Sequence, residues 1–400
     1  MKEVNWLDDL RLKASYGQVG NNALLSGTNT LLDGNNNSLY YADRAFYDLG
    51  SNNGAEPGAL LSSVANPELR WESQNTFNTG LTFSVFKRRL YGEIEYFKKS
   101  VDNLLFNVPQ PLSDPVASIN RNIGSMYNSG LELMLGADVV RTDNFNWNLI
   151  TNWTILKNRV TKLPAETPQI ISGTKRREVG YDYYQFWLRQ YAGVDPKDGA
   201  ALYLPDPTQT IAATNKRTVN GVEYTTNQSN ALFGRSGSAI PDLMGSFTNT
   251  FSYKNLSLSV LVNYQIGGKF YDSNYQGLMS TSSFGAALHK DLLGAWTQTN
   301  TTSSIPRADY GNSANINATS TRWLIDASYL AIRNINLSYN LPKTWLSKID
   351  VTNARLFVTA ENLHLFSKRK GLNPSESFDG TNSNVYPQAR ILSVGLNASF

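Results

Sequence analysis

The sequence predicts an all-β protein: about ten up-and-down antiparallel strands forming part of a transmembrane β-barrel, with long loops at one end and short turns at the other. Three observations carry that reading. Residues 389–400 alternate strictly, with Leu392, Val394, Leu396, Ala398 and Phe400 in one row and Ser393, Gly395, Asn397 and Ser399 in the other, as a strand with one apolar and one wet face requires. The composition is 12% aromatic and only 17% charged, against a usual charged share of about a quarter. The connections sort by length, short after even strands and long after odd ones, which is the habit of barrels that cross a membrane with tight turns on one side and long loops on the other.

In chain order, Leu10, Leu12, Ala14 and Tyr16 alternate with Arg11, Lys13 and Ser15 in a first strand ending at Gly17. A polar loop that includes Asn35-Asn36-Asn37 lasts to about Trp71, far beyond the usual connection of about 4 to 6 residues. Phe77, Thr79, Leu81, Phe83 and Val85 form the second strand, and Lys87-Arg88-Arg89 turns it into a third with Leu90, Gly92, Ile94 and Tyr96 opposite Glu93 and Glu95. That pair is a hairpin. A loop with Pro109, Pro111 and Pro115 precedes the fourth strand (Leu131, Leu133, Leu135, Ala137, Val139). A tight turn over residues 141–144 leads to the fifth, where Phe145, Trp147, Leu149, Thr151, Trp153 and Ile155 share a face.

Residues 157–241 make the longest connection. Strands six (Gly245, Phe247, Phe251, Tyr253) and seven (Leu256, Leu258, Val260, Val262, Tyr264) then meet at Lys254-Asn255. The loop 267–325 is expected to hold a short helix over 286–296. Strand eight carries Ile335, Leu337, Tyr339 and Leu341, and the slip in alternation between Ile332 and Ile335 predicts a β-bulge. A medium turn over 342–353, strand nine (Leu356, Val358, Ala360), a loop over 366–386 and strand ten complete the chain. The greasy rows end in aromatics, as lipid contact and interfacial girdles require. The opposite rows hold Arg11, Lys13, Glu93, Glu95, Glu132, Asp138, Arg355 and Glu361 as candidate lumen-lining residues.

One barrel can absorb all 400 residues, because all-β chains commonly exceed the average domain length. No stretch approaches the roughly 18 consecutive apolar residues of a spanning helix, so any span is built from strands, closed so that no backbone group is left bare in lipid. The net charge of +4 comes without a basic run, and nucleic acid is not implied. Cysteine is absent, which removes disulfides, thiolate metal sites and cysteine nucleophiles. The opening Met1-Lys2-Glu3-Val4-Asn5-Trp6 has no apolar h-region and no small-residue cleavage site, so a barrel that begins here is expected to be a carboxy-terminal piece of a longer precursor.

The terminal row ending on Phe400 resembles the closing strand of outer-membrane β-barrels. That resemblance implies that Leu392, Val394, Leu396, Ala398 and Phe400 act as the signal read by the barrel-assembly machinery. A wider resemblance covers the whole chain. Leu10-Arg11-Leu12-Lys13-Ala14-Ser15-Tyr16-Gly17 with Gly20-Asn21, Asn66-Pro67-Glu68-Leu69-Arg70-Trp71-Glu72, and Asn122-Ile123-Gly124 with Asn128-Ser129-Gly130-Leu131-Glu132 are similar to motifs of the SusC/RagA-type TonB-dependent outer-membrane transporters of Bacteroidetes. So, in the same order, are Tyr191-Ala192-Gly193-Val194-Asp195-Pro196, Tyr264-Gln265-Ile266-Gly267-Gly268, Tyr339-Asn340-Leu341-Pro342, and Glu361-Asn362-Leu363 with Lys370-Gly371-Leu372-Asn373-Pro374.

The resemblance implies a barrel of about 22 strands, of which residues 1–400 would be the last ten. A signal peptide, a carboxypeptidase-like domain, a TonB box and a plug have no counterpart in the sequence. It further implies import of glycans, oligosaccharides or peptides, driven by the TonB-ExbB-ExbD system and assisted by a SusD-like surface lipoprotein, with no cofactor.

Tyr183, Tyr184, Trp187, Tyr191, Trp296 and Trp323 are candidate substrate or partner contacts in the external loops, since flat rings with a polar handle stack on sugars or hold peptide side chains. Packing of the loops on one another is the competing reading. Glu93 and Glu95 lie ~7 Å apart on one strand face, within reach of a glycosidase pair, yet lumen charges of both signs are ordinary in such barrels and catalysis is not expected. His289 and His364 stand alone, with no metal or triad pattern. The alternative to a transporter is a stand-alone small barrel or surface adhesin, in which strand ten would pair back onto strand one.

Overall fold

In the computed structural model, the described residues are 5–21, 43–49, 54, 58–116, 118–165, 167–282, 285–347, 351–382 and 386–400. Alternating side chains place ten long strands in one antiparallel sheet in simple chain order. They are β1 (Leu7–Asn21), β2 (Glu72–Val85), β3 (Leu90–Pro109), β4 (Ser118–Arg141), β5 (Phe145–Lys162), β6 (Leu243–Tyr253), β7 (Leu256–Ile266), β8 (Tyr329–Asn340), β9 (Asn353–Ser367) and β10 (Ile391–Ser399). Every expected strand is present.

The register carries the alternation across the sheet. One transverse row runs Leu12, Leu81, Ile94, Leu133 and Trp153 from β1 to β5. Another runs Phe251, Leu258, Leu337, Val358 and Val394 from β6 to β10. On the opposite face Lys13, Gly80, Glu95, Glu132, Thr154 and Met244 form a row, as do Thr250, Ser259, Asn336, Thr359 and Ser393. All eight candidate lumen residues therefore share the polar face. Nothing in the described chain covers the apolar one: Ile94, Leu131, Ile155, Leu337 and Val358 in the middle of the sheet are all exposed. Each such side chain left in water forgoes about 1.5–3 kcal/mol, so the face requires an apolar neighbour.

Among the described residues β1 pairs only with β2 and β10 only with β9. The closure of strand ten onto strand one that a stand-alone barrel needs is not formed.

The turns are tight where expected. Phe86, Lys87 and Arg88 adopt three successive left-handed conformations (φ 57°, 58° and 60°), costly for residues with a Cβ. The Asp8 carboxylate of β1 steadies the turn by accepting from the Arg88 amide at 2.8 Å. The β8 bulge is present as well: against β7, Val262 pairs with Ile332 and Leu261 with Asn334, leaving Arg333 as the extra residue.

Three expectations need correction. β1 runs past Gly17 to Asn21, and β4 begins at Ser118 rather than near Leu131. Beyond the membrane zone both strand faces are polar, so alternation vanishes while pairing continues: the 24 residues of β4 reach about 80 Å, against a hydrocarbon core of about 30 Å. The third connection is in consequence only residues 110–117. The helix over 286–296 reduces to a 3-10 turn at Lys290–Gly294, because its apolar residues share no buried face, Leu293 being 92% exposed, and short helices do not persist without packing. The Asn35–Asn37 stretch lies outside the described residues.

On the polar face the Tyr91 ring of β3 lies over Gly136 of β4, where an added Cβ would sit 2.2 Å from Tyr91 Cζ. Gly136→Val is expected to destabilise the sheet by about 1–3 kcal/mol, read as a lower urea midpoint, and Tyr91→Ala in the same chain should restore most of it. An unchanged midpoint for the single variant contradicts this packing.

Candidate functional site

The connections after β5, β7 and β9 leave the same end of the sheet, and there their described residues fold on one another. Residues 163–242 supply two four-stranded sheets. The first orders Phe233–Ser238, Gln185–Arg189, Lys175–Glu178 and Gln169–Ser172; the second orders Tyr191–Val194, Ala201–Tyr203, Val222–Thr225 and Lys216–Val219. The strand Lys269–Tyr271 pairs with Leu324–Asp326. Phe186, Leu188, Ala239, Tyr271, Met279 and Trp323 close into one dry cluster. The connection after β9 joins this cap: the Tyr271 amide donates to the Gly380 carbonyl at 2.7 Å. Arg369 pairs with the buried Asp272 at 2.6 Å while lying 3.4 Å over the Tyr275 ring. Gly380, at φ 72°, is required there, since a Cβ would meet the Lys269 carbonyl oxygen at 2.6 Å.

The six candidate aromatics divide by environment. Trp323 is 1% exposed and donates from Nε1 to the Ala318 carbonyl at 2.9 Å, so in this conformation it is an anchor of the cap core. Trp296 lies over Gly199 and donates to the Pro196 carbonyl at 3.1 Å, clamping the Asp195–Gly199 turn. Tyr191 stands edge-on to the buried Tyr203 at 5.7 Å, and burial pushes its hydroxyl up to about 12 against the pull of Arg322. Tyr183 and Tyr184 are edge-on to each other at 5.1 Å, and Tyr184 meets Phe378 from the connection after β9 at 5.7 Å. Trp187 differs from the rest. It stacks on Phe233 at 6.4 Å with Arg176 4.2 Å from its ring, on the face of its sheet opposite to the buried Phe186 and Leu188.

Burial of a lysine was not foreseen. Lys175 opens the run Lys175-Arg176-Arg177, and such runs ordinarily mark a solvated surface. Its side chain is instead buried, 3.1 Å from the Phe186 ring, donating to the Asp379 carbonyl at 2.5 Å. It thus ties the first cap sheet to the connection after β9. Desolvation lowers its pKa to about 7, opposed by the charges of Asp379 and Asp182. Burial likewise raises Asp182, against the Ser238 hydroxyl that donates to it at 2.7 Å. The only sequence signal for this was the alternation of Phe186 and Leu188 with polar neighbours, which marks an inward face opposite Lys175.

The polar face of the sheet presents ion pairs rather than a reacting constellation. Lys13 pairs with Glu93, while Glu95 stands directly across from Glu132. Asp138 accepts from Asn148 at 2.9 Å, and Arg355 donates to Ser338 at 2.8 Å. His289 Nδ1 accepts from the Asp291 amide at 3.2 Å as a cap, and His364 packs on Phe366 at 4.3 Å. Among the described residues no three carboxylates or imidazoles converge as metal ligands.

An antiparallel sheet dry on one face and polar on the other, with its long connections folded into a cap at one end, defines the wall of a membrane β-barrel. The family described as "TonB dependent receptor-like, beta-barrel" matches residues 4–363, and the chain belongs to that family. Members of that family are outer-membrane receptors, so the outer membrane is the compartment that membership implies.

TonB-dependent receptor P26 of Formosa agariphila is 29% identical over 436 residues, covering 100% of this chain and 41% of the relative. TonB-dependent receptor SusC of Bacteroides thetaiotaomicron is 27% identical over 420 residues, covering 38% of its length. The RagAB peptide importer in its "closed-closed" state superposes with a TM-score of 0.82 at 28% identity, over 100% of this chain and 42% of that one. The chain thus spans about two fifths of the length of these relatives.

The lysine makes the cap sensitive to pH. The unfolded chain keeps the Lys175 proton to about pH 10.5, whereas the folded cap releases it near 7; between those values the unfolded state binds more protons, so stability rises with pH. Resistance of the cap to proteolysis is expected to increase from pH 7 to about 9, and Lys175→Met should flatten that increase. Parallel profiles for the two proteins contradict it.

Proposed function

We propose that the chain supplies ten consecutive strands of the wall, and the substrate-facing cap, of a TonB-dependent outer-membrane importer of glycans, oligosaccharides or peptides. The observation that carries this reading is the likeness of the whole of this chain, cap included, to part of the RagAB importer, joined to a sheet whose two edges do not meet among the described residues. A wall of this kind holds no energy source. Transport then depends on the TonB-ExbB-ExbD system acting through a plug, and on a SusD-like lipoprotein that closes over the cap. The apolar face lies against outer-membrane lipid, Arg11, Lys13, Glu93, Glu95, Glu132, Asp138, Arg355 and Glu361 line the lumen, and the barrel-assembly machinery reads the row that ends on Phe400.

Within the cap, Trp187 is the aromatic candidate best placed to touch cargo, because its sheet turns Phe186 and Leu188 inward and leaves the Trp187, Phe233 and Arg235 face open. Tyr184 packs against the Phe186 and Leu188 cluster and Tyr183 lies under Arg177, both on the other side of that sheet. Trp323, Trp296 and Tyr191 hold the cap together.

Uptake of fluorescent oligosaccharide and peptide libraries by cells producing the protein tests the reading. Accumulation of one class should vanish when TonB is deleted while the protein's level in the outer membrane stays unchanged. Trp187→Ala should lower uptake by roughly twofold to tenfold, the range of one lost aromatic contact. TonB-independent uptake would mark a passive pore instead.

A further inference from the structure

The bulge shared by β8 and β9 opens a cavity of about 630 Å³ between the sheet and the connection that follows β9, within the size range of small-ligand pockets. Arg333 is the residue the bulge inserts against β7, where Leu261 pairs with Asn334 and Val262 with Ile332; on the other side two β9 residues, Asn362 and Leu363, stand between the partners of Asn334 and Ile332. Its guanidinium is held by three neutral oxygens. Nη1 donates to Asn362 Oδ1 at 3.4 Å and to Gln388 Oε1, and Nη2 donates to Ser375 Oγ at 2.8 Å. Asn362, at φ 51°, is itself tethered by its amide to the Ala389 carbonyl at 3.1 Å. The arginine is thereby positioned without being neutralised, and among the described residues no carboxylate pairs with it.

Lys370 lines the same cavity, against Glu376 as its one acidic lining residue, so the charge within it is net positive. The rest of the polar lining is largely amide: Asn274, Asn373, Asn382 and Gln388. Primary amides offer a donor and an acceptor side by side, which suits vicinal hydroxyls. The buried lining residue Leu372 is already packed with Phe270 and Ala327.

We propose that this cavity is a subsite for an anionic oligosaccharide, its carboxylate received by Arg333 with Lys370 nearby and its hydroxyls by the surrounding amides. The inference rests on the importer reading and names the cargo class. A guanidinium already locked in place loses little freedom when it receives a planar anion, and its fork matches a carboxylate in two places.

The test is binding of trigalacturonate, maltotriose and triglutamate to the intact protein in outer-membrane vesicles, with uptake measured in parallel. Trigalacturonate should bind more tightly than maltotriose, and its affinity should fall as salt is raised from about 0.05 to about 0.5 M. Arg333→Gln should weaken it about tenfold to hundredfold, the range of one lost charge-assisted hydrogen bond, while leaving maltotriose unaffected. Lys370→Gln, on the exposed side of the cavity, should weaken it by a smaller factor, and retained heat-modifiability on gels confirms that both variants are folded.

Equal affinity for the neutral sugar, an unchanged Arg333→Gln variant, or tighter binding of triglutamate overturns the subsite. If TonB-dependent uptake of another cargo persists in that case, the importer reading survives. If no uptake depends on TonB, both fail.

Discussion

Backbone hydrogen bonding in a medium without water is the constraint on which the rest depends. Hydrocarbon offers no partner to an N–H or C=O group, so a strand that enters it must be paired along its whole length. That demand explains simple chain-order pairing, ladders such as β3 with β4 that run unbroken but for bulges, and the tolerance of a turn like Phe86–Arg89 with three left-handed residues. It also fixes the chemistry of the two faces. Once Leu133 faces outward, Glu132 and Met134 cannot, and the register passes that choice on to Trp153 and Thr154 in the next strand.

The cap obeys a different economy. Outside the membrane water is present, so its strands are short and its stability comes from ordinary burial: Phe186, Leu188, Tyr271 and Trp323 in one cluster, Ala201, Tyr203, Ala231 and Ala318 in a second. Three connections that are distant in sequence are cross-linked by Lys175 to Asp379 and by Arg369 to Asp272. Removing one partner from the Arg369–Asp272 pair leaves a buried charge without compensation, which is more costly than the pair is worth. One wall of the cavity around Arg333 is the sheet itself, β8 and β9, and the other is the connection after β9, which these links hold to the cap.

Legibility in the sequence followed the same division. All ten wall strands could be read because lipid on one side enforces a strict period of two. The β8 bulge was readable as a slip in that period. Where both faces are wet the signal disappears, so the extensions of β3 and β4 and the short strands within residues 163–242 passed for loop. The alternation put the charged residues on one common face of the sheet, whereas the cap aromatics could not be sorted in advance: a tryptophan anchoring a core, as Trp323 does, and one lying on an open sheet, as Trp187 does, have the same composition around them. Lys175 was hidden because burial of a lysine is decided by tertiary contacts with Phe186 and Asp379, neither of them near it in sequence.

The most direct measurement uses the absence of cysteine. Single cysteines at Ser257, Leu258, Ser259 and Val260 of β7, in the protein inserted in outer membranes, can be probed with a water-soluble maleimide and with a lipid-borne nitroxide quencher. The account predicts labelling by the water-soluble maleimide at Ser257→Cys and Ser259→Cys only and, once a membrane-permeant fluorescent maleimide has been attached at the other two, nitroxide quenching at Leu258→Cys and Val260→Cys. Uniform labelling of all four, or the opposite alternation, would contradict a wall with lipid on one side and a wet lumen on the other.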